Sequence, residues 1–152
     1  REYSFATRAW HRTLLDDAQV SFLRSIPLRN RFEWQGKTFR MAHATPQGQL
    51  SEYLEPREWA SRVAAIDADY MLLGHTHVQG MGAFGKITVV NPGSVGLARD
   101  YPGKACYAIC CDGRMELRRI DYDVDCTAEG LRTAPLPNHV SEGLVGVLGY
   151  KG

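Results

Sequence analysis

The sequence lacks the features that mark several common protein classes. No apolar run reaches the roughly 18 residues that a membrane-spanning helix needs. The 18 Lys and Arg are scattered and balanced by 17 Asp and Glu, so there is neither a basic stripe for a nucleic-acid duplex nor a charged tail. The 152 residues contain no internal repeat and no low-complexity segment. These absences predict one globular unit with no membrane partner and no nucleic-acid duplex partner.

Cysteine is also scarce, and its spacing lacks the Cys-x-x-Cys pairs of zinc ribbons and redox sites. The four cysteines are Cys106, Cys110, Cys111 and Cys126, three of them in the strand-like run KACYAICC. We interpret them as buried, reduced strand residues rather than disulfides or zinc ligands. This interpretation favours a reducing, cytoplasmic location.

Apolar periodicity predicts a mixed α/β fold. Thr13 and Asp16 match a capping box ahead of an amphipathic helix, and a second helix opens at Pro56. Two hairpins are predicted, one from RFEWQ and KTFRMAH and one around the Asp-Gly pair of KACYAICCDGRMELRRIDYDV. ADYMLLGH and KITVVNP are predicted as buried strands, and the glycines between positions 80 and 85 as a break. Two more helices are expected around 126–132 and 138–148.

Histidines follow two of these strands. In YMLLGHTHVQG, His75 and His77 come after a buried run, and KTFRMAH ends in the same way at His43. Layered α/β folds bind ligands beyond the carboxyl ends of their strands, and near-extended backbone sends residues i and i+2 to the same side. The pattern therefore predicts that the three imidazoles converge on a metal-binding crevice, with Gly74 allowing a tight turn before the pair.

Taken alone, His-x-His leaves three interpretations open: a two-metal hydrolase, one structural zinc, and core histidines whose hydrogen bonds are satisfied. A second motif favours the hydrolase. VVNPGSVG, residues 89–96, is a strand that ends in an Asn-Pro-Gly-Ser turn. Such turns are generic by themselves, but one that follows GHTH at this distance is much more specific.

GHTH followed by NPGSVG, and preceded by HATP and YLEP, resembles the calcineurin-like metallophosphoesterases. More narrowly, the chain resembles their bacterial branch of small phosphodiesterases and diadenosine-tetraphosphatase-like enzymes. The resemblance implies an α/β fold of two packed mixed β-sheets flanked by helices, a four-layer αββα sandwich. It also implies hydrolysis of a small-molecule or nucleotide phosphoester by metal-activated water. The substrate would be a phosphodiester, a phosphomonoester or a dinucleoside polyphosphate.

The resemblance also implies ligand roles. His43 and His75 would bind one divalent ion and His77 a second, and Mn, Fe, Zn and Ni all suit such a dinuclear site. Arg99, just after NPGSVG, is a candidate for binding substrate phosphate, with a surface ion pair to the neighbouring Asp100 as the alternative. Tyr53 in SEYLEP, beyond the His43 loop, is interpreted as a packing residue, with a place lining the site as the alternative.

Several motifs of the family are missing. The chain has no Asp-x-His, no strand-ending Gly-Asp and no Gly-Asn-His-Asp; its Asn138-His139 is interpreted as a helix cap. No catalytic residue is therefore identifiable. We interpret residues 1–152 as the C-terminal portion of a single metallophosphoesterase domain. We expect it to be inactive alone and expect the N-terminal half of the same enzyme as its partner. The alternatives are a non-catalytic scaffold with the same fold and a mononuclear zinc module that uses the three histidines.

Overall fold

The computed structural model describes residues 2–149. The chain divides into two compact units: one combines its two ends, and the other is Pro27–Ile120. The helices are α1 (Glu2–Leu14), α2 (Asp17–Ser25), α3 (Trp59–Val63, preceded by a 3₁₀ turn at Pro56–Glu58), α4 (Val124–Thr133) and α5 (Asn138–Val147). The strands are β1 (Arg29–Trp34), β2 (Lys37–Ala42), β3 (Tyr70–Leu72), β4 (Gly80–Phe84), β5 (Ile87–Asn91), β6 (Lys104–Cys111) and β7 (Arg114–Asp121). Within residues 2–149, no helix has the length and apolar character needed to cross a bilayer.

Five strands form a mixed sheet in the order β1-β2-β3-β5-β4, and β6 pairs with β7 in a second sheet. The three central strands are parallel, and β1 and β4 are antiparallel edges. Helix α3 covers a core in which Trp59 and Val63 join Met71 and Val89. The predicted class, mixed α/β with two sheets and flanking helices, is confirmed.

Both predicted hairpins are confirmed, and their turns explain why. Gln35 and Gly36 connect β1 to β2 with φ of 49° and 70°. Asp112 and Gly113 connect β6 to β7 with φ of 49° and 71°. Two successive positive φ angles define a type I′ turn, whose twist matches that of antiparallel strands. Glycine adopts positive φ without steric cost and Asp tolerates it, whereas Gln35 takes a less favourable conformation.

The predicted break is wrong at Gly80 and Gly82 but holds at Gly85, which has φ of 64° in the turn between β4 and β5. Gly80–Phe84 is strand β4, which pairs antiparallel with β5. A Cβ at Gly80 would lie 3.1 Å from the Trp59 ring, and one at Gly82 would lie 3.1 Å from the Phe84 ring. These glycines therefore let aromatic rings approach the strand instead of ending it.

The prediction that the strand cysteines are buried holds only for Cys106. Cys110 is half-buried, whereas Cys111 and Cys126 are exposed. Cys111 ends strand β6 in a sheet of only two strands, and Cys126 lies in helix α4 instead of a strand. All four cysteines are free thiols.

In the unit formed by the chain ends, the predicted capping box is wrong by one turn. Helix α1, which the sequence analysis did not predict, ends where that box was placed, and Thr13 Oγ1 donates to Trp10 O at 2.7 Å. The residue that caps α2 is Asp16, whose carboxylate accepts from Gln19 N at 2.8 Å while the Gln19 side chain accepts from Asp16 N. The amphipathic helix itself is confirmed.

The two C-terminal helices are confirmed, but the cap at Asn138 is not. Pro137 occupies the N-cap position and Asn138 is the first helical residue. His139 Nε2 lies 2.8 Å from Glu2 Oε1, which links α5 to α1.

Gln79, which is 9% exposed, connects the two sheets of the unit Pro27–Ile120. Its Nε2 lies 3.2 Å from Pro92 O, 3.2 Å from Tyr107 O and 3.0 Å from Arg118 O. Its backbone N–H donates to Asp100 Oδ2 at 2.8 Å. One amide group thus joins the turn after β5 to both strands of the β6-β7 pair.

The Gly93→Ala substitution tests how tightly this junction is packed. Gly93 has φ of 84°, and a Cβ there would lie 2.8 Å from Cys106 Cβ and 3.1 Å from Gln79 Cβ. We expect the free energy of unfolding to fall by about 1–3 kcal/mol, because backbone strain and overpacking add. Urea unfolding is the measurement. Gly96→Ala, whose Cβ would meet nothing within 4 Å, is the control, and equal midpoints for the two variants would contradict the prediction.

Candidate metal centre

The candidate site lies at the carboxyl ends of the parallel strands in the five-stranded sheet. His43 follows the last residue of β2, His75 lies three residues beyond β3, and Asn91 is the last residue of β5. The ladder continues past the strand ends, since Gly74 N donates to His43 O at 2.8 Å and Leu73 N donates to Val90 O at 2.9 Å. This backbone pairing therefore fixes the positions from which the side chains of His43 and His75 extend.

The structure brings His43 and His75 into direct contact. His43 Nε2 lies 3.1 Å from His75 Nδ1, and the ring centroids are 5.0 Å apart at an interplanar angle of 69°. In the neutral pair, one of these nitrogens carries the proton and the other offers a lone pair. The pair is thus aligned to share one small electrophile, whether a proton or a metal ion.

The backbone at the two GHTH histidines is left-handed, so the prediction of a near-extended backbone is wrong. His75 has φ of 65° and His77 has φ of 58°. Thr76 N donates to Gly74 O at 2.7 Å, which closes a γ-turn centred on His75. Positive φ at a residue with a side chain costs about 1–3 kcal/mol and concentrates at ligand sites. The turn sets the direction of each imidazole.

The predicted role of Gly74 also changes. Gly74 does not have a positive φ, so the tight turn is made by His75 and not by the glycine. A Cβ at Gly74 would lie 3.2 Å from His43 O. Glycine is needed here because the end of β2 approaches the backbone closely.

Asn91 holds this turn, a role that the sequence analysis missed. It is 2% exposed, and its Nδ2 donates to Gly74 O and to Thr76 Oγ1, both at 3.0 Å. Its Oδ1 accepts from Gly93 N at 3.0 Å. A buried side-chain amide with all three bonds made stabilises a loop that strain would otherwise open. The signal in the sequence was Asn two residues before Gly at a strand end, which favours an Asx turn.

His77 is oriented by a different contact. Its Nδ1 lies 3.1 Å from Leu97 O, and its backbone carbonyl accepts from Arg99 N at 3.0 Å. A carbonyl only accepts, so Nδ1 carries the proton and Nε2 keeps its lone pair. Histidines that bind metals are commonly oriented in this way.

Tyr53 and Arg99 lie next to His75. The Tyr53 ring centroid is 4.5 Å from that of His75, and the Arg99 guanidinium carbon is 5.5 Å from the Tyr53 centroid. Tyr53 is 54% exposed, so its interpretation as a packing residue is wrong. Asp100, the alternative partner of Arg99, accepts instead from Gln79 N through Oδ2.

The environment of His75 favours its neutral form. Burial lowers the pKa of His75 below its ordinary value of 6.5, and the neighbouring His43 lowers it further. The Ser51 backbone opposes this shift, whereas His77 and Arg99 add to it. Within residues 2–149, His75 Nε2 is buried without a hydrogen-bond partner. The neutral form of the ring, which has a lone pair available for a ligand, is therefore favoured.

The spacing of the histidine pair fits a metal ion. Two nitrogens that each lie about 2.0–2.1 Å from one zinc ion are about 2.9 Å apart at a right angle and about 3.4 Å apart at a tetrahedral angle. The observed 3.1 Å lies between these values. No group of three or more His, Cys, Asp or Glu side chains that could hold a metal occurs in the described range 2–149. The structure thus pairs His43 with His75 and does not gather all three histidines, whose roles as ligands stay predictions.

Substitution of Asn91 by Asp tests the support of this turn. The carboxylate keeps the acceptor for Gly93 but loses both donors and faces the Gly74 carbonyl. We expect the free energy of unfolding to fall by about 1–3 kcal/mol, and the ring resonances of His75 to shift as its turn opens. Denaturant unfolding and NMR of the imidazoles provide the measurements. Asn30→Asp is the control, because Asn30 is exposed and only its Oδ1 is used, as an acceptor from Arg31 N. An Asn91→Asp variant as stable as this control would show that the amide is dispensable.

Comparison with known proteins agrees with this architecture. A sequence model of the calcineurin-like phosphoesterase superfamily domain matches residues 15–112. An uncharacterized protein from Methanocaldococcus jannaschii is 29% identical over 161 residues, which cover 94% of this chain and 65% of that protein. A metallophosphoesterase from Sphaerobacter thermophilus superimposes with a TM-score of 0.74 at 24% identity, covering 91% of this chain and 66% of that one. A hypothetical protein from Pyrococcus horikoshii superimposes with a TM-score of 0.67 at 16% identity, covering 84% and 53%.

These two structures share the fold of the chain, and the chain spans about two thirds or less of each relative's length. The family model matches well over half of its residues and includes the strand ends that position His43, His75 and Asn91. By this match, the chain belongs to the calcineurin-like phosphoesterase superfamily.

Proposed function

We propose that the chain supplies the histidine side of a dinuclear metal site in a phosphoester hydrolase. His43 and His75 bind one divalent ion, and His77 binds the other. The observation that supports this most directly is the 3.1 Å contact between His43 Nε2 and His75 Nδ1 at the carboxyl ends of two parallel strands. The family is one of metal-dependent phosphoesterases. Activity, substrate and metal number for the whole protein are proposals, since the chain spans about 65% of a relative's length.

The substrates that fit the proposed branch are phosphodiesters, phosphomonoesters and dinucleoside polyphosphates. Mn, Fe, Zn and Ni all suit a site of mixed histidine and carboxylate ligands. Two such ions, when bound, lower the pKa of a water nucleophile and neutralise charge that develops around phosphorus. Four free cysteines support a cytoplasmic location for the protein.

The chain's own residues prepare the site for this chemistry. The lowered pKa of His75 keeps a lone pair free at neutral pH. The Leu97 carbonyl fixes the tautomer of His77. Arg99 places a positive charge beside the pair and, through its planar fork, is suited to bind two phosphate oxygens. The Tyr53 ring contacts both this guanidinium and the His75 ring.

One observation favours a second candidate, a mononuclear site. The only direct contact between ring nitrogens of the three histidines in the described residues is that of His43 with His75. This second candidate is a mononuclear zinc module in which His77 joins the pair as a third ligand. Metal stoichiometry separates the two proposals, because the mononuclear site binds one ion per chain and the dinuclear site binds two.

Substitution of His75 by Ala tests the metal assignment. It removes one of two nitrogens at a shared ion, so we expect the affinity for Zn²⁺ or Mn²⁺ to fall at least tenfold. The His43→Ala variant should lose affinity to a similar extent. Isothermal titration against metal-free protein is the measurement, with circular dichroism to establish that each variant is folded.

His139→Ala is the matched control for these variants. His139 lies on α5 in the other unit, where its ring pairs with Glu2. The His139→Ala variant should bind metal with the affinity of the unsubstituted protein. Equal loss of affinity in the His139 and His75 variants would mean that the measured binding is unspecific.

Arg99→Gln tests the substrate role. In the full-length protein we expect a rise in KM for a phosphodiester of about tenfold, because a charge-assisted hydrogen bond to phosphate is removed. Metal affinity should stay unchanged. Steady-state kinetics measure the effect, and Arg57→Gln, which removes an exposed guanidinium that pairs with Glu55, is the control. An unaltered KM in the Arg99 variant would assign this arginine to the surface.

A further inference from the structure

Strands β1 and β2 place three arginines around a cavity that contains none of the histidines discussed above. The cavity has a volume of about 250 Å³ and is lined by Arg29, Arg31 and Arg40, with Pro46 and Met71 among its apolar neighbours. All of these residues belong to the unit Pro27–Ile120. No role in metal binding or hydrolysis has been assigned to any of them.

The strand register concentrates positive charge at this cavity. Arg31 lies directly opposite Arg40 across the antiparallel β1-β2 pair, and Arg29 is two residues away on the same face. Like charges at directly opposite positions destabilise a sheet. The nearby acid is Glu33, which lies 3.3 Å from Arg31 with both side chains more than half exposed. Such an exposed pair offsets little of the repulsion.

The Arg40 side chain is partly buried. Within the described residues, Arg40 Nε is buried and has no hydrogen-bond partner. Arg40 faces Met71 across the parallel β2-β3 pair, and Met71 is 1% exposed. A buried guanidinium N–H without an acceptor is unfavourable. An oxyanion bound by the guanidinium groups that line the cavity would relieve the repulsion between the arginines.

We propose that this cavity binds a phosphoryl oxyanion, either as free inorganic phosphate or as the phosphate of a monoester. Guanidinium groups match the oxygens of such an anion through pairs of parallel N–H donors. The apolar neighbours Pro46 and Met71 give the uncharged part of a monoester a surface to contact. The site is separate from the proposed hydrolytic centre and does not depend on its activity.

The test is a titration of the metal-free full-length protein, in EDTA, with inorganic phosphate and separately with AMP. The readout is the NMR signal of the Arg40 Nε–H group, which reports on the cavity itself. We expect a saturable shift that weakens as salt is added. Tighter binding of AMP would identify a monoester as the ligand, whereas equal or weaker binding would identify free phosphate.

Variants separate this site from the hydrolytic centre. Arg31→Gln, an exposed position that leaves the core intact, should weaken binding about ten- to a hundredfold. Arg57→Gln and His75→Ala should leave it unchanged, even if the proposed function at the histidines is wrong. Arg40→Gln would remove the reporting Nε–H group, so the Arg31→Gln variant carries this comparison. An Arg40 signal that does not move, or equal weakening in the Arg31 and Arg57 variants, would overturn the proposal.

Discussion

Parallel pairing of β2, β3 and β5 is the constraint on which the candidate site depends. Because the three strands run in the same direction, their carboxyl ends meet at one edge, with His43, His75 and Asn91 just beyond or at those ends. The hydrogen bond from Gly74 N to His43 O extends this pairing past β3. No long loop has to be ordered to bring the imidazoles together, so little conformational entropy is lost there.

The loop at these strand ends contains strained backbone and also the hydrogen bonds that stabilise it. Two left-handed histidines are expensive, and their cost is opposed by the buried Asn91 amide and by the contact of His77 with Leu97 O. A turn held in this way directs its side chains before any ligand arrives. Preorganised ligands lose less entropy on binding than mobile ones do.

Local patterns in the sequence predicted the hairpins, the buried strands and the family, because turn chemistry and apolar runs act over a few residues. The motif GHTH gave the positions of His75 and His77 but not their backbone, since positive φ there depends on Asn91, which is fourteen or more residues away in the sequence. Tyr53 was misjudged for a similar reason. Its exposure and its contact with His75 arise from tertiary structure and leave no periodic signal. Strand β4 was missed because glycine is rare in strands, and only the adjacent aromatic rings explain it.

Gln79 couples the opening of the β6-β7 sheet to that of the turn after β5. Its amide has two hydrogens and three carbonyl acceptors, from Pro92, Tyr107 and Arg118, so at least one hydrogen is shared. The β6-β7 pair cannot separate from the turn after β5 without exposing this buried side chain. Amide hydrogen exchange in that pair and in the Asn-Pro-Gly-Ser turn therefore proceeds through one cooperative opening rather than two independent ones.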